Sequence, residues 1–99
     1  MLLKRCMQRE EAHVVITHGT DTMPETARFL GEKHIQKTIV LVGSFVPFSQ
    51  PDSDALANIG YAVASAQLLP VGVWVAMNGK VFSWETVRKD FEKKIFLDT

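Results

Sequence analysis

A chain of 99 residues has room for one domain, and a small one for a parallel α/β sheet. Apolar side chains make up 46% of it, which provides for a packed core and excludes a disordered segment. Eleven basic residues balance eleven acidic ones, so neither the basic footprint of a nucleic-acid binder nor a polybasic membrane surface is present.

Targeting features are sparse. Cys6 has no second cysteine to pair with, which fits a reducing compartment and reads most simply as a half-buried thiol. The apolar start Met1-Leu2-Leu3 is too short for a signal peptide. The longest apolar window, 68–77, contains Pro70 and Gly72 and is about half the length of a membrane span. A cytoplasmic protein is expected.

Residues 1–12 read as the end of a helix running into a first strand, His13 to Thr17, short and rich in β-branched residues. Gly19, Thr20 and Asp21 form the turn that follows. A helix is expected from Met23 to about Leu30, with Met23, Ala27 and Leu30 on one face and Pro24 in its first turn. Thr22 and Glu25 have the spacing of a capping box, and Gly31 supplies a stop.

A second strand covers 38–43 and is apolar on both faces; a loop with Pro47 and Pro51 follows. Asp52, Ser53 and Asp54 bring acids and a cap to the head of a second helix. Its expected apolar face is Ala55, Leu56, Ile59, Ala62, Val63, Ala66 and Leu69, and Gly60 with the alanines suggests close approach to a sheet. Pro70 ends it, and 71–77 is a third buried strand. Asn78-Gly79 signals a hairpin that returns Lys80, Val81 and Phe82 antiparallel. The charged remainder, 83–99, reads as a short helix and an irregular tail. The order β-α-β-α-β-β predicts an α/β three-layer sandwich with a mainly parallel sheet wound by right-handed crossovers.

In such a sheet the strand ends share one edge, where ligands bind. Thr20 and Asp21 lie after the first strand, Gly43 and Ser44 after the second, and Asn78, Arg88 and Lys89 after the third. A threonine hydroxyl becomes a nucleophile when a base takes its proton, and a lysine can be that base. The same residues also fit plainer roles: Thr-Asp as a turn and cap, and Lys89 as part of a solvated charged run. These patterns leave the function open.

The stretch Thr17-His18-Gly19-Thr20-Asp21-Thr22-Met23, with Glu25-Thr26-Ala27 behind it, resembles the second signature of the L-asparaginase (asparaginase/glutaminase) family. Further similarity runs through Thr38 to Ser44 with Pro47, Ser53-Asp54-Ala55 with Asn58, and Gly72 to Phe82 followed by Val87-Arg88-Lys89. It spans roughly residues 12–92 and is greatest to the short, single-domain members. The resemblance implies an amidohydrolase that converts asparagine to aspartate and ammonia through a threonine acyl-enzyme, without metal or organic cofactor. Absence of a clustered Cys/His set and of a GxGxxG or Walker loop agrees. Thr20 would be one of two active-site threonines, and Lys89 the base that activates it. Asp21 would orient Lys89 and bind the substrate's α-amino group, while Gly19 and Ser44 would line the substrate. His18 reads as a structural hydrogen-bonding residue, and His13 and His34 as surface residues.

The chain also departs from that pattern. A Thr-Gly-Gly-Thr turn, which carries the family's other threonine, does not occur. Val46 stands where the family has an arginine, and Arg88 where it has a threonine. The expectation is a single, apparently truncated asparaginase-like N-terminal domain over 1–99, crippled or inactive by itself. An unpaired apolar strand edge would then favour a homo-oligomer, or a partner supplying the missing strands. Two other readings stand beside this. Thr17, Thr20 and Thr22 loosely resemble the phosphate loop of flavodoxin-like flavin carriers, and a non-catalytic fragment needing a second polypeptide is the third.

Overall fold

The computed structural model describes residues 12–46, 50–51, 53–93 and 95–98. Its elements are β1 (His13–Thr17), α1 (Met23–Gly31), β2 (Thr38–Val42), α2 (Ala55–Leu68) and β3 (Gly72–Met77). They are followed by β4 (Lys80–Ser83), β5 (Val87–Asp90) and β6 (Ile95–Asp98). β1, β2 and β3 pair in parallel in that order, and β4 returns antiparallel to β3. The helix end expected before residue 12 and the cap at Asp52 lie outside the described residues.

Every residue of β2 is buried, because the strand is covered on both faces. Alternation along it divides the core in two. Ile39 and Leu41 join Val73, Val75 and Met77 of β3 under Met23, Ala27 and Leu30 of α1. Val40 and Val42 turn the other way, with Ala76, toward Ala62 and Ala66 of α2. Helix, sheet and helix are therefore the three layers expected.

The winding is less regular than expected. The strands step in one direction across the sheet while α1 and α2 leave to opposite faces. The two parallel crossovers must then have opposite hands, so only one keeps the right-handed rule. One consequence is useful. The loops after β1 and β2 diverge to opposite faces, and a crevice opens between them at the carboxyl edge of the sheet, the usual place for a ligand.

The capping box at Thr22 does not form. Thr22 precedes α1 with φ −110° and ψ 8°, away from the extended conformation that aims a capping hydroxyl at the first turn. Only its backbone carbonyl takes part, accepting the Thr26 N–H at 3.1 Å. Gly31 is the last helical residue, and Glu32 after it stays right-handed. The glycine there answers to packing: a Cβ on Gly31 would lie 2.1 Å from the Trp84 ring.

α2 is rotated from the face its sequence suggests. Ala55, Asn58, Ala62, Ser65 and Ala66 are buried, while Leu56 is 72% and Val63 45% exposed. Small side chains let the helix lie close to the sheet, and the rotation carries Asn58 to the carboxyl edge. Gly60 takes no part in that approach; a Cβ there meets nothing within 4 Å.

The largest correction concerns 83–99. In place of a helix and tail, β5 and β6 form an antiparallel hairpin with Lys89 opposite Phe96. Val87 and Phe96 are buried in the α1-side core, packed with Phe82 and Phe45, which a solvated helix could not provide. The turn is fixed by Asp90 Oδ1, which accepts the N–H groups of Glu92 at 3.0 Å and Lys93 at 3.1 Å.

Candidate active site

The carboxyl edge is built by close approach of backbone. The His18 N–H donates to the Val42 carbonyl at 2.8 Å, carrying the β1–β2 ladder one residue beyond Thr17. Gly43 is required at this point, since a Cβ would fall 2.3 Å from the His18 carbonyl oxygen. His18 Nδ1 donates to the Gly19 carbonyl at 2.7 Å, and Nε2 hydrogen-bonds with the Thr26 hydroxyl at 2.9 Å. The ring so pins the turn to α1, in the structural role expected of it, and Thr20 and Asp21 project beyond.

A second tie organises the other loops. Asn58, 2% exposed, donates from Nδ2 to the Gly43 carbonyl and to Asp54 Oδ2, each at 2.9 Å. Its Oδ1 accepts the Asn78 N–H at 3.0 Å. Asp54 in turn accepts the N–H groups of Phe45 at 3.2 Å and Val46 at 3.1 Å. Burial pushes the Asp54 carboxyl up, but those backbone N–H groups and the Asn58 amide outweigh it and hold the group below its ordinary value. Asp54 does not cap α2 with its side chain; it braces the loop after β2.

Into this frame β5 brings Lys89. Along the strand Val87 and Lys89 share one side and Arg88 takes the other, where it is exposed. Arg28 of α1 donates from Nη2 to the Val87 carbonyl at 2.7 Å and locks the strand against the helix. Lys89 Nζ thereby reaches Thr20 Oγ1 at 2.9 Å and Asp21 Oδ1 at 2.6 Å. The lysine side chain is 7% exposed and the aspartate 79%, so the ion pair is dry at one end and wet at the other. Two rings that sequence reasoning overlooked stand over the ammonium: Phe45 with its centroid at 5.2 Å and Phe91 at 4.7 Å. The available signal was Phe91 at two positions past Lys89, and Phe45 next to Ser44.

The structure thus gathers Thr20, Asp21 and Lys89, as the resemblance implies. Gly19 and Ser44 line an adjoining groove of about 510 Å³ with Thr17, His18, Gly43, Ala55 and Ile59. Asn78 turns aside to Asp54, 3.4 Å away, and Arg88 stays outside. Among the described residues no group of three or more His, Cys, Asp or Glu side chains could hold a metal ion. No helix among them is long and apolar enough to cross a membrane.

Comparison with known proteins gives one consistent answer. The family described as "Asparaginase, N-terminal" matches residues 2–95. A glutaminase-asparaginase of Acinetobacter glutaminasificans is 48% identical over 80 residues, 77% of this chain and 24% of that protein. The probable cytoplasmic L-asparaginase of Campylobacter jejuni superposes with a TM-score of 0.81 at 39% identity, over 89% of this chain and 29% of that one. The thermostable L-asparaginase of Thermococcus kodakarensis gives 0.83 at 29% identity, over 98% and 30%. The chain spans about a quarter of the length of the curated relatives it matches. These likenesses do not favour the flavodoxin-like reading.

Proposed function

The chain belongs to the asparaginase family through its N-terminal domain, and from that premise we propose that it carries the Thr–Asp–Lys part of a side-chain amidohydrolase site. The observation that supports this most is the approach of Lys89 Nζ to both Thr20 Oγ1 and Asp21 Oδ1. In this reading the amine form of Lys89 takes the Thr20 proton as Oγ1 attacks the amide carbon. The C–N bond then breaks, the proton leaves with the nitrogen as ammonia, and the ester left on Thr20 is cleaved by water to a carboxylate. Asp21 orients Lys89, and its exposed carboxylate is free to meet the α-amino group of an asparagine- or glutamine-like substrate. Gly19 and the backbone of Ser44 line the side chain's path.

Residues 1–99 act as one asparaginase-like N-terminal domain of a cytoplasmic protein. A second threonine, and strands beside β1, would complete the site from outside the described residues. β1 supports that part: Val14 and Ile16 pack on one face and Val15 on the other, as in an interior strand, yet among the described residues β1 pairs only with β2.

Thermal unfolding in L-aspartate, the product, tests the site without requiring turnover. A ligand bound by the folded state alone raises the midpoint. Aspartate should raise it for the parent chain and leave Asp21→Ala unmoved. A parent midpoint that is indifferent to aspartate, or a variant that shifts equally, would sink the proposal.

A further inference from the structure

The ammonium of Lys89 is enclosed on more sides than a proton acceptor requires. Thr20 Oγ1 and Asp21 Oδ1 hold it at 2.9 and 2.6 Å, and the Phe45 and Phe91 rings stand 5.2 and 4.7 Å away. Although the Asp21 side chain is 79% and Phe91 63% exposed, the Lys89 side chain is only 7% exposed.

The two rings differ in how they are held. Phe45 is anchored, its N–H bonded to Asp54 and its ring 5.6 Å from that of Phe96 in the core. Phe91 lies on the β5–β6 turn with most of its surface in water. The turn backbone beneath it is fixed by Asp90, and its ring faces the Lys89 ammonium at 4.7 Å. A ring this close to an ammonium is attracted through its face, so the cation gives an exposed aromatic side chain a resting place.

We propose that Phe91 is a positioning residue: it covers the outer side of Lys89 Nζ and directs the amine toward Thr20 and Asp21. The function of this cover rests on the reading of Thr20, Asp21 and Lys89 given above. Phe45 forms the inner wall and Phe91 the outer one.

Amine acylation reads the cover directly. The whole chain is treated with a water-soluble N-hydroxysuccinimide acetate, and labelling of Lys89 is quantified by peptide mass spectrometry against exposed Lys80 in the same molecules. Phe91→Ala should raise the Lys89-to-Lys80 ratio about fivefold, the shift expected when a cation–π contact of ordinary strength is lost. Phe91→Tyr, which retains the aromatic face, should restore the parent ratio. No rise in Phe91→Ala, or an equal rise in Phe91→Tyr, overturns the proposal. Labelling needs no turnover, so failure of the cover and failure of the amidohydrolase reading are seen in separate measurements.

Discussion

The Trp84 indole occupies the space that Gly31 leaves by having no side chain. Within a helix, replacing glycine by alanine ordinarily stabilises by about 1 kcal/mol. At Gly31 the sign should reverse: the new methyl must displace a half-buried ring, and overpacking of that kind costs about 1–3 kcal/mol. Gly60→Ala, facing open space, should show the ordinary gain. Urea denaturation of the two variants decides the matter, and a stabilised Gly31→Ala would mean that Trp84 does not pack there.

Thr20→Ala and Lys89→Met should each lower by several orders of magnitude whatever ammonia release from asparagine or glutamine the parent chain shows. The far-UV circular dichroism spectrum should stay that of the parent, because Thr20 lies in a turn and Met retains the length of the Lys89 stem. A variant that keeps the parental rate has been given the wrong role.

Asp54 should leave a mark on acid stability. Its folded-state pKa lies below the ordinary value because Val46, Phe45 and Asn58 donate to the charged form against the opposing effect of burial. A depressed carboxyl stabilises the fold fully above its unfolded value, about 4. That contribution is lost as pH falls through the lower folded value. Unfolding free energies measured from neutral pH downward should therefore drop on the acid side, and Asp54→Asn should lose that part of the slope. An equally steep acid limb in the variant would remove Asp54 from this role.

Among the described residues one side of β1 has no partner strand, and this side should make itself felt in solution. An edge strand with apolar side chains on both faces is a template for further pairing. Sedimentation velocity over a wide concentration range should show reversible association, and a single monomeric species throughout would contradict it.

Much of this architecture was legible because parallel strands announce themselves: residues 39–42 are apolar without interruption, and Asn78-Gly79 marks a turn whatever surrounds it. The turn carrying Thr20 and Asp21 was legible for the same local reasons. What escaped was decided at long range. The charged run after Val87 looks like a solvated helix, and only the burial of Val87 and Phe96 against α1 makes 87–90 a strand that turns Lys89 inward. Leu56 and Val63 satisfy a helical period yet face water, because Asn58 is drawn to the Gly43 and Asn78 backbones. The opposite hands of the crossovers leave no local trace, since a helix of either connection has the same pattern. Phe91 and Phe45 gain meaning only when β5 lies beside the β1 turn.

Lys89 belongs to a two-stranded sheet of its own, separate from the four-stranded one that bears Thr20 and Asp21. Side chains on a strand change sides at every position, so a slip of β5 by a single residue would present Arg88 or Asp90 where the amine now sits. The Arg28 bond to the Val87 carbonyl and the seating of Val87 in the core oppose that slip. They therefore act as an alignment key: without touching the reacting groups, they select which charge the hairpin delivers.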